Sequence, residues 1–132
     1  MEASLALDGD GSVIAQARHF AAGFLTEVRD RAGIPVATAT VEIVQLIVSE
    51  LVTNARKYAP GSALLHLRVV DAVLQIHLSD GNPVLPAPRP ADPARVGQHG
   101  LEIVTALAQH VTVQATPAGK RVTAIVALST VP

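Results

Sequence analysis

The sequence predicts an α/β (α+β) protein built as a two-layer α/β sandwich with a mostly antiparallel mixed sheet. Three observations predict this class. Two segments carry apolar residues at helical spacing, and four later segments alternate apolar and polar residues, with one more helical segment among them. The chain has 132 residues, of which 49% are apolar, which suits one domain with one core. The predicted order is β-α-α-β-β-loop-α-β-β over a single domain, 1–132.

The chain begins with a predicted edge strand and an amphipathic helix. Residues 4–7 are mostly apolar, and Ser12 is a candidate N-cap after a glycine-rich turn. Gly33 is the predicted C-terminal cap of the helix over 13–32, and Pro35 cannot continue it. The apolar positions that recur at steps of three and four are Ile14, Ala17, Ala21, Phe24, Leu25 and Val28.

A second helix is predicted from a cap at Thr38 or Thr40 to about Tyr58. Its buried stripe is predicted to be Val44, Val48, Leu51 and Ala55.

After this helix, apolar and polar residues alternate with a period of two, which is typical of β-strands. Two alternating segments, 65–70 and 74–79, are separated by Asp71 and Ala72, and this spacing predicts a hairpin. A proline-rich loop follows over 79–100, and a loop of this length inside a small domain is typical of a lid or a binding loop. The remaining predicted elements are a helix over 101–109, a strand over 111–115, a turn over 116–120 and a strand over 122–128.

Composition excludes several classes of function. The net charge of −1 favours neither nucleic acid nor an anionic membrane as a partner. The absence of cysteine excludes disulfides and thiolate chemistry. No apolar run reaches the roughly 18 residues of a membrane span. We therefore expect a soluble, cytoplasmic domain.

The second helix carries polar residues beside its apolar stripe. Glu50 and Asn54 are one turn apart, and Lys57 falls on the same side. One interpretation is a solvated helix face with an intrahelical hydrogen bond. The other is a metal and phosphate site, since a carboxamide oxygen can ligate Mg²⁺, a carboxylate can take a proton, and an ammonium can meet a phosphate.

Two further stretches allow a ligand or a plain structural role. In "SDGNP", Asp80 leaves a strand into a turn, where its carboxylate could accept a hydrogen bond from an exocyclic amine, although the same residues are ordinary turn formers. In "VGQHGLEIV", Gly97 and Gly100 precede a helix, and free backbone N–H groups there favour a phosphate. A flexible helix start is the alternative.

The order of the three motifs resembles a known family. "VSELVTNARKYA", "SDGNPVLP" and "GLEIVTALAQHV" together resemble the GHKL (Bergerat) ATP-binding fold of histidine kinase catalytic domains, DNA gyrase, a heat-shock chaperone family and anti-sigma-factor kinases. Within it they look most like the stand-alone RsbW-like anti-sigma-factor serine/threonine kinases. The resemblance covers nearly the whole chain and implies the cofactors ATP and Mg²⁺.

The resemblance assigns roles to the helix residues. Asn54 would ligate the Mg²⁺ that bridges the phosphates, and Glu50 would be the general base toward a serine or threonine hydroxyl. Lys57 is similar to a lysine that some histidine kinases use near the phosphates. His19, in the first helix, lacks the acidic neighbour of a phosphoacceptor histidine and is interpreted as a surface or interface residue.

It also assigns roles to the loop residues. Asp80 would bind the adenine amino group, and residues 84–97 would form a lid over the nucleotide. Gly97 and Gly100 would flank the phosphates, with backbone amides of His99, Gly100 and Leu101 as donors.

Two departures from the family pattern bear on affinity for ATP. Asn82 takes the place of a glycine that packs close to the base. Lys120 and Arg121 stand where a threonine commonly helps to hold the adenine-binding aspartate.

The implied function is partner switching. The chain would phosphorylate a STAS-type anti-sigma antagonist or bind a sigma factor, with a homodimer as a further expectation. Three alternatives stay open: an ATP-binding regulator without phosphotransfer, a detached histidine kinase catalytic domain acting in trans, and a structural domain without a ligand. Whether Phe20, Phe24 and Leu25 belong to the core or to a partner surface is also open at this point.

Overall fold

A computed structural model of the chain describes residues 1–8, 12–58, 61–81, 98–117 and 119–128. The elements follow the predicted order. Their bounds are β1 Glu2–Leu7, α1 Val13–Ala32, α2 Thr38–Tyr58, β2 Ala63–Val70, β3 Val73–Asp80, α3 Gln98–Leu107, β4 His110–Thr116 and β5 Gly119–Ala127. None of the helices in these residues is both long and apolar enough to cross a membrane.

Among the described residues, five strands form one sheet in the order β1-β2-β3-β5-β4. The predicted α+β class with a mostly antiparallel sheet is confirmed. Each of the four neighbouring pairs is antiparallel, so the described sheet has none of the parallel pairing that the prediction of a mixed sheet allowed. The β2–β3 hairpin is confirmed. Its turn residues Asp71 and Ala72 have φ of 51° and 60°, and two successive positive φ values match the right-handed twist of the flanking strands.

The helix caps differ in part from prediction. Gly33 closes α1 in the left-handed conformation, with φ of 68°, and its N–H donates to Val28 O, as predicted. Ser12 lies at the N-cap of α1, but its hydroxyl makes no capping bond to the backbone and accepts from Gln16 Nε2 at 3.3 Å. Thr38 and Thr40 both lie inside α2, because the carbonyl of Ala37 accepts the first helical bond, from Val41.

The helices cover one face of the sheet. The predicted stripe of α2 is fully buried, as are Leu65, Leu67, Leu74, Ile76 and Leu78 on the sheet's inner face. Phe24 and Leu25 are core residues, and Phe20 is partly buried against the core. Gln45 of α2 donates through Nε2 to the Arg18 carbonyl of α1 at 3.4 Å, which adds a polar contact between the two packed helices.

Two elements of the structure have bounds that differ from those predicted from the sequence. Residues 116–120 were predicted as a turn, but β4 extends through Thr116 and β5 begins at Gly119, because these two residues pair across the hairpin. The last helix begins at Gln98, so Gly100 lies in its first turn and does not precede it.

Polar side chains cross the outer face of the sheet in one row. Ser4, His66, His77 and Thr123 occupy directly opposed positions on β1, β2, β3 and β5. Ser4 Oγ lies 2.8 Å from His66 Nδ1, and His77 Nδ1 lies 2.8 Å from Thr123 Oγ1. The two imidazole rings meet edge to face at 5.8 Å. Both histidines thus lie on the polar outer face of the sheet.

Acid should destabilise the protein in part through His77. Burial is the largest cause that lowers the pKa of His77 below its ordinary value of 6.5, and Arg121, His66 and Arg68 lower it further by their positive charge. The unfolded chain then takes up this proton at a higher pH than the folded protein. The stability that His77 contributes is therefore present above the unfolded pKa and is lost as the pH falls through the folded one.

We expect His77→Gln to lose less unfolding free energy than the wild type between about pH 7.5 and about pH 5. Urea unfolding at several pH values measures this. His19→Gln is the matched control, since His19 is exposed on α1, and it should follow the wild type. Equal losses in wild type and His77→Gln would contradict the prediction.

Candidate functional site

Asp80 and Lys120 form a buried ion pair where β3 ends and β5 begins. They are directly opposed across the two strands. Strand alternation puts both on the inner face, because Asp80 follows Ile76 and Leu78 in period, and Lys120 precedes Val122 and Ala124. Lys120 Nζ lies 3.4 Å from Asp80 Oδ2, and the side chains are only 4% and 2% exposed. Removing either partner would leave an uncompensated buried charge, which typically costs about 3–5 kcal/mol.

Small residues flank this pair. Ala63 opposes Asp80 on β2, and Ala115 opposes Lys120 on β4. One row further in, the opposed residues are Leu65, Leu78, Val122 and Val113. At this end of the sheet, the charged side chains of Asp80 and Lys120 therefore lie between two alanines. The next row of residues on the same face consists of larger apolar side chains.

The backbone is closely packed beside the pair. A Cβ on Gly119 would overlap the carbonyl oxygen of Asp80 and lie 2.7 Å from both C and Cα of Gly81. Only glycine allows the start of β5 to approach the end of β3 this closely.

The polar residues of α2 lie at the edge of the core. Glu50 and Asn54 are half-buried, each next in sequence to a buried core residue, Leu51 or Ala55, and Lys57 near the end of the helix is exposed. No hydrogen bond joins Glu50 to Asn54 in the described part of the chain. The interpretation as a self-paired helix face is therefore not supported. α2 packs against β3, β5 and α3, the elements that carry the other site residues.

The predicted phosphate donors belong to the first turn of α3. His99, Gly100 and Leu101 are its second, third and fourth residues. N–H groups of a first turn have no acceptor within their own helix, and the helix dipole there favours an anion. Asn82, Gly97 and the predicted lid over 84–97 lie outside the described residues.

Lys120 lies in strand β5 and not in the turn that the sequence predicts. It was placed in a turn, because Thr-Pro-Ala-Gly-Lys is typical turn composition. The alternation of apolar residues could have indicated that Lys120 belongs to the strand, since Lys120 continues the series of Val122, Ala124 and Val126 by one more step toward the N-terminus. That alternation places its side chain on the inner face, opposite Asp80.

The donor set fits a nucleotide with Mg²⁺. A buried carboxylate such as that of Asp80 can accept hydrogen bonds from an exocyclic amine, and the Asn54 carboxamide oxygen is a ligand type that Mg²⁺ accepts. In the described residues, no three His, Cys, Asp or Glu side chains group closely enough to hold a metal ion. Mg²⁺ at Asn54 would thus take most of its ligands from phosphate and water, as this ion commonly does.

Comparison with curated proteins gave no match. A family model described as a histidine kinase-like ATPase domain matches residues 11–126, well over half of the chain. The match spans α1 through most of β5 and includes every candidate site residue. The chain belongs to the family of histidine kinase-like ATPase domains.

Proposed function

We propose that the protein binds ATP with Mg²⁺ and transfers the γ-phosphoryl group to a serine or threonine of an anti-sigma antagonist protein. Membership of the ATPase family supports the nucleotide and phosphotransfer in general. The buried pair of Asp80 and Lys120 carries the assignment of this site, because two charged side chains on the inner face of a sheet are costly to bury and such groups cluster at functional sites.

Each residue of the site would have a separate role in binding or phosphoryl transfer. Asp80 would accept from the base, Asn54 would hold the metal, and the first turn of α3 would donate to phosphate oxygens. ATP supplies the phosphoryl group and leaves as ADP. Glu50 would take the proton from the attacking hydroxyl, which is a weak nucleophile while it is neutral.

The choice of acceptor and partner rests on the resemblance to RsbW-like kinases. A STAS-type antagonist and a sigma factor would be its partners, and a homodimer is a further expectation. Because Phe24 and Leu25 lie in the core, a partner surface would use other residues. Leu46 on α2 and Ile103 on α3 are exposed apolar side chains, at 43% and 37%.

A second candidate is a nucleotide-dependent binding module without phosphotransfer. The departures from the family pattern at Asn82 and Lys120 favour it, because weaker ATP binding would impair turnover more than it would impair a nucleotide-dependent contact. A detached histidine kinase domain acting in trans would instead produce acid-labile phosphohistidine, whereas phosphoserine survives acid. Phosphate transfer from labelled ATP, followed by acid treatment, separates the three.

Nucleotide binding by calorimetry is the first test. We expect the wild type to bind ATP with Mg²⁺, and Asn54→Ala and Asp80→Ala each to weaken that complex at least about tenfold, about 1.4 kcal/mol. The two changes should differ in kind. Asp80→Ala should also weaken adenosine and metal-free ATP, whereas Asn54→Ala should affect only the complex with Mg²⁺.

Glu42→Ala is the control for these measurements, because Glu42 is exposed on the same helix. Asp80→Leu keeps a similar side-chain volume without any hydrogen-bond acceptor and replaces Asp80→Ala if the latter is unstable. A wild type that binds no adenine nucleotide would contradict the proposed function.

A further inference from the structure

The Lys120 ammonium has hydrogen-bonding capacity that its ion pair does not use. An ammonium has three N–H donors, and one carboxylate oxygen takes one of them. In the part of the chain that the structure describes, Asp80 is the partner of the Lys120 ammonium. The distance of 3.4 Å also exceeds the roughly 2.7–2.9 Å of the tightest charge-assisted bonds. Since buried donors almost always have acceptors, this side chain is suited to a ligand.

The pair presents an acceptor and a donor side by side. A carboxamide offers the same combination, and Asn or Gln reads adenine with it, one atom accepting from the 6-amino group and the other donating to the adjacent ring nitrogen. Adenine has such a ring nitrogen on either side of the amino group, N1 and N7. Ala63 and Ala115 flank the pair with methyl groups, so neither neighbouring strand places a large side chain in this row.

We infer that Lys120 determines specificity for the base, by donating to the adenine ring nitrogen next to the amino group that Asp80 accepts from. This inference rests on the proposed function. It also gives the reason for a lysine at a position where the family commonly has threonine. In the same placement, guanine would set its carbonyl oxygen against the Asp80 carboxylate, which would repel it.

The test is a cycle that removes the donor from the protein and the acceptor from the ligand. Affinities for ATP, 1-deaza-ATP and 7-deaza-ATP are measured by calorimetry on wild type, Lys120→Met and Arg121→Met. Arg121→Met is the matched control, because it removes the same charge one residue along β5, from an exposed side chain that contacts Ser79 Oγ on the outer face.

We expect the wild type to bind one of the two deaza analogues at least about tenfold more weakly than ATP, the loss typical of a hydrogen bond from a charged donor. In Lys120→Met, ATP and that analogue should bind with the same affinity, within about twofold. Arg121→Met should keep the wild-type ratio.

Different failures have different meanings. A wild type that binds ATP but does not distinguish either analogue overturns the inference and leaves the proposed function standing. So does a Lys120→Met variant that keeps the wild-type ratio. If the wild type binds no adenine nucleotide, both fail together. The wild-type comparison alone is decisive against the inference if Lys120→Met does not fold.

Discussion

Replacing Glu50 by glutamine should slow phosphoryl transfer to a protein hydroxyl by about 10²- to 10⁴-fold, the range that a positioned general base typically contributes. Glutamine keeps the size and polarity of the side chain but cannot take a proton. Glu50 is half-buried on the face of α2 that also carries Asn54, so the change should leave the packing of the helix intact. Affinity for ATP should stay within about twofold, because the predicted binding contacts come from other residues.

The measurement is single-turnover transfer from labelled ATP to a purified STAS-type antagonist, with calorimetry on the same protein preparations. Glu42→Gln makes the same chemical change at an exposed position two turns earlier in α2 and should behave as wild type. A Glu50→Gln rate within about tenfold of the wild-type rate would exclude Glu50 as the base. A large loss of ATP affinity would instead assign the residue to binding.

The element order could be predicted from sequence because it depends on local periodicity. Apolar residues at steps of three and four in α1 and α2, and at steps of two in β2 and β3, leave one choice of face for each element. The turn at Asp71 and Ala72 follows from the two-residue spacing between alternating segments. Gly33 was predictable because a left-handed C-terminal cap strongly favours glycine.

Other features depend on contacts between distant residues. The strand order β1-β2-β3-β5-β4 is not encoded in any one strand, since it depends on which edges find partners. The start of α2 at Thr38 depends on the backbone of the preceding residue, which supplies the first carbonyl acceptor without any side-chain cap. A preference for threonine at N-caps could not reveal this.

The residues of the candidate site also differ in whether the sequence could predict their positions. Glu50 and Asn54 could be assigned to one helix face from their spacing, and the motif at Asp80 could be recognised from its neighbours. The partner of Asp80 could not, because 40 residues separate it from Lys120 and only the β3–β5 register brings them together. The turn-forming residues before Lys120 predicted a turn, whereas the structure places Lys120 in strand β5.

Replacing Gly119 by alanine should destabilise the protein by about 3 kcal/mol, at the upper end of the usual cost of overpacking. The added methyl group would overlap the Asp80 carbonyl and lie 2.7 Å from Gly81 Cα, and these are backbone atoms that cannot rotate away. Relief requires the ends of β3 and β5 to separate. The same movement would displace the Asp80 carboxylate from Lys120, so affinity for adenine nucleotides should fall together with stability.

Gly23→Ala is the matched control for this effect, because Gly23 lies inside α1 and an added Cβ would meet no atom within 4 Å beyond the neighbouring residues and backbone of its own helix. Alanine there should stabilise the protein by about 0.5–1 kcal/mol, since it removes the entropic cost of a helical glycine. Urea unfolding of both variants, with calorimetry of ATP binding, measures the two effects. If Gly119→Ala were as stable as wild type, strands β3 and β5 would not be in close contact at this end. The structural basis for the Asp80–Lys120 pair would then be lost.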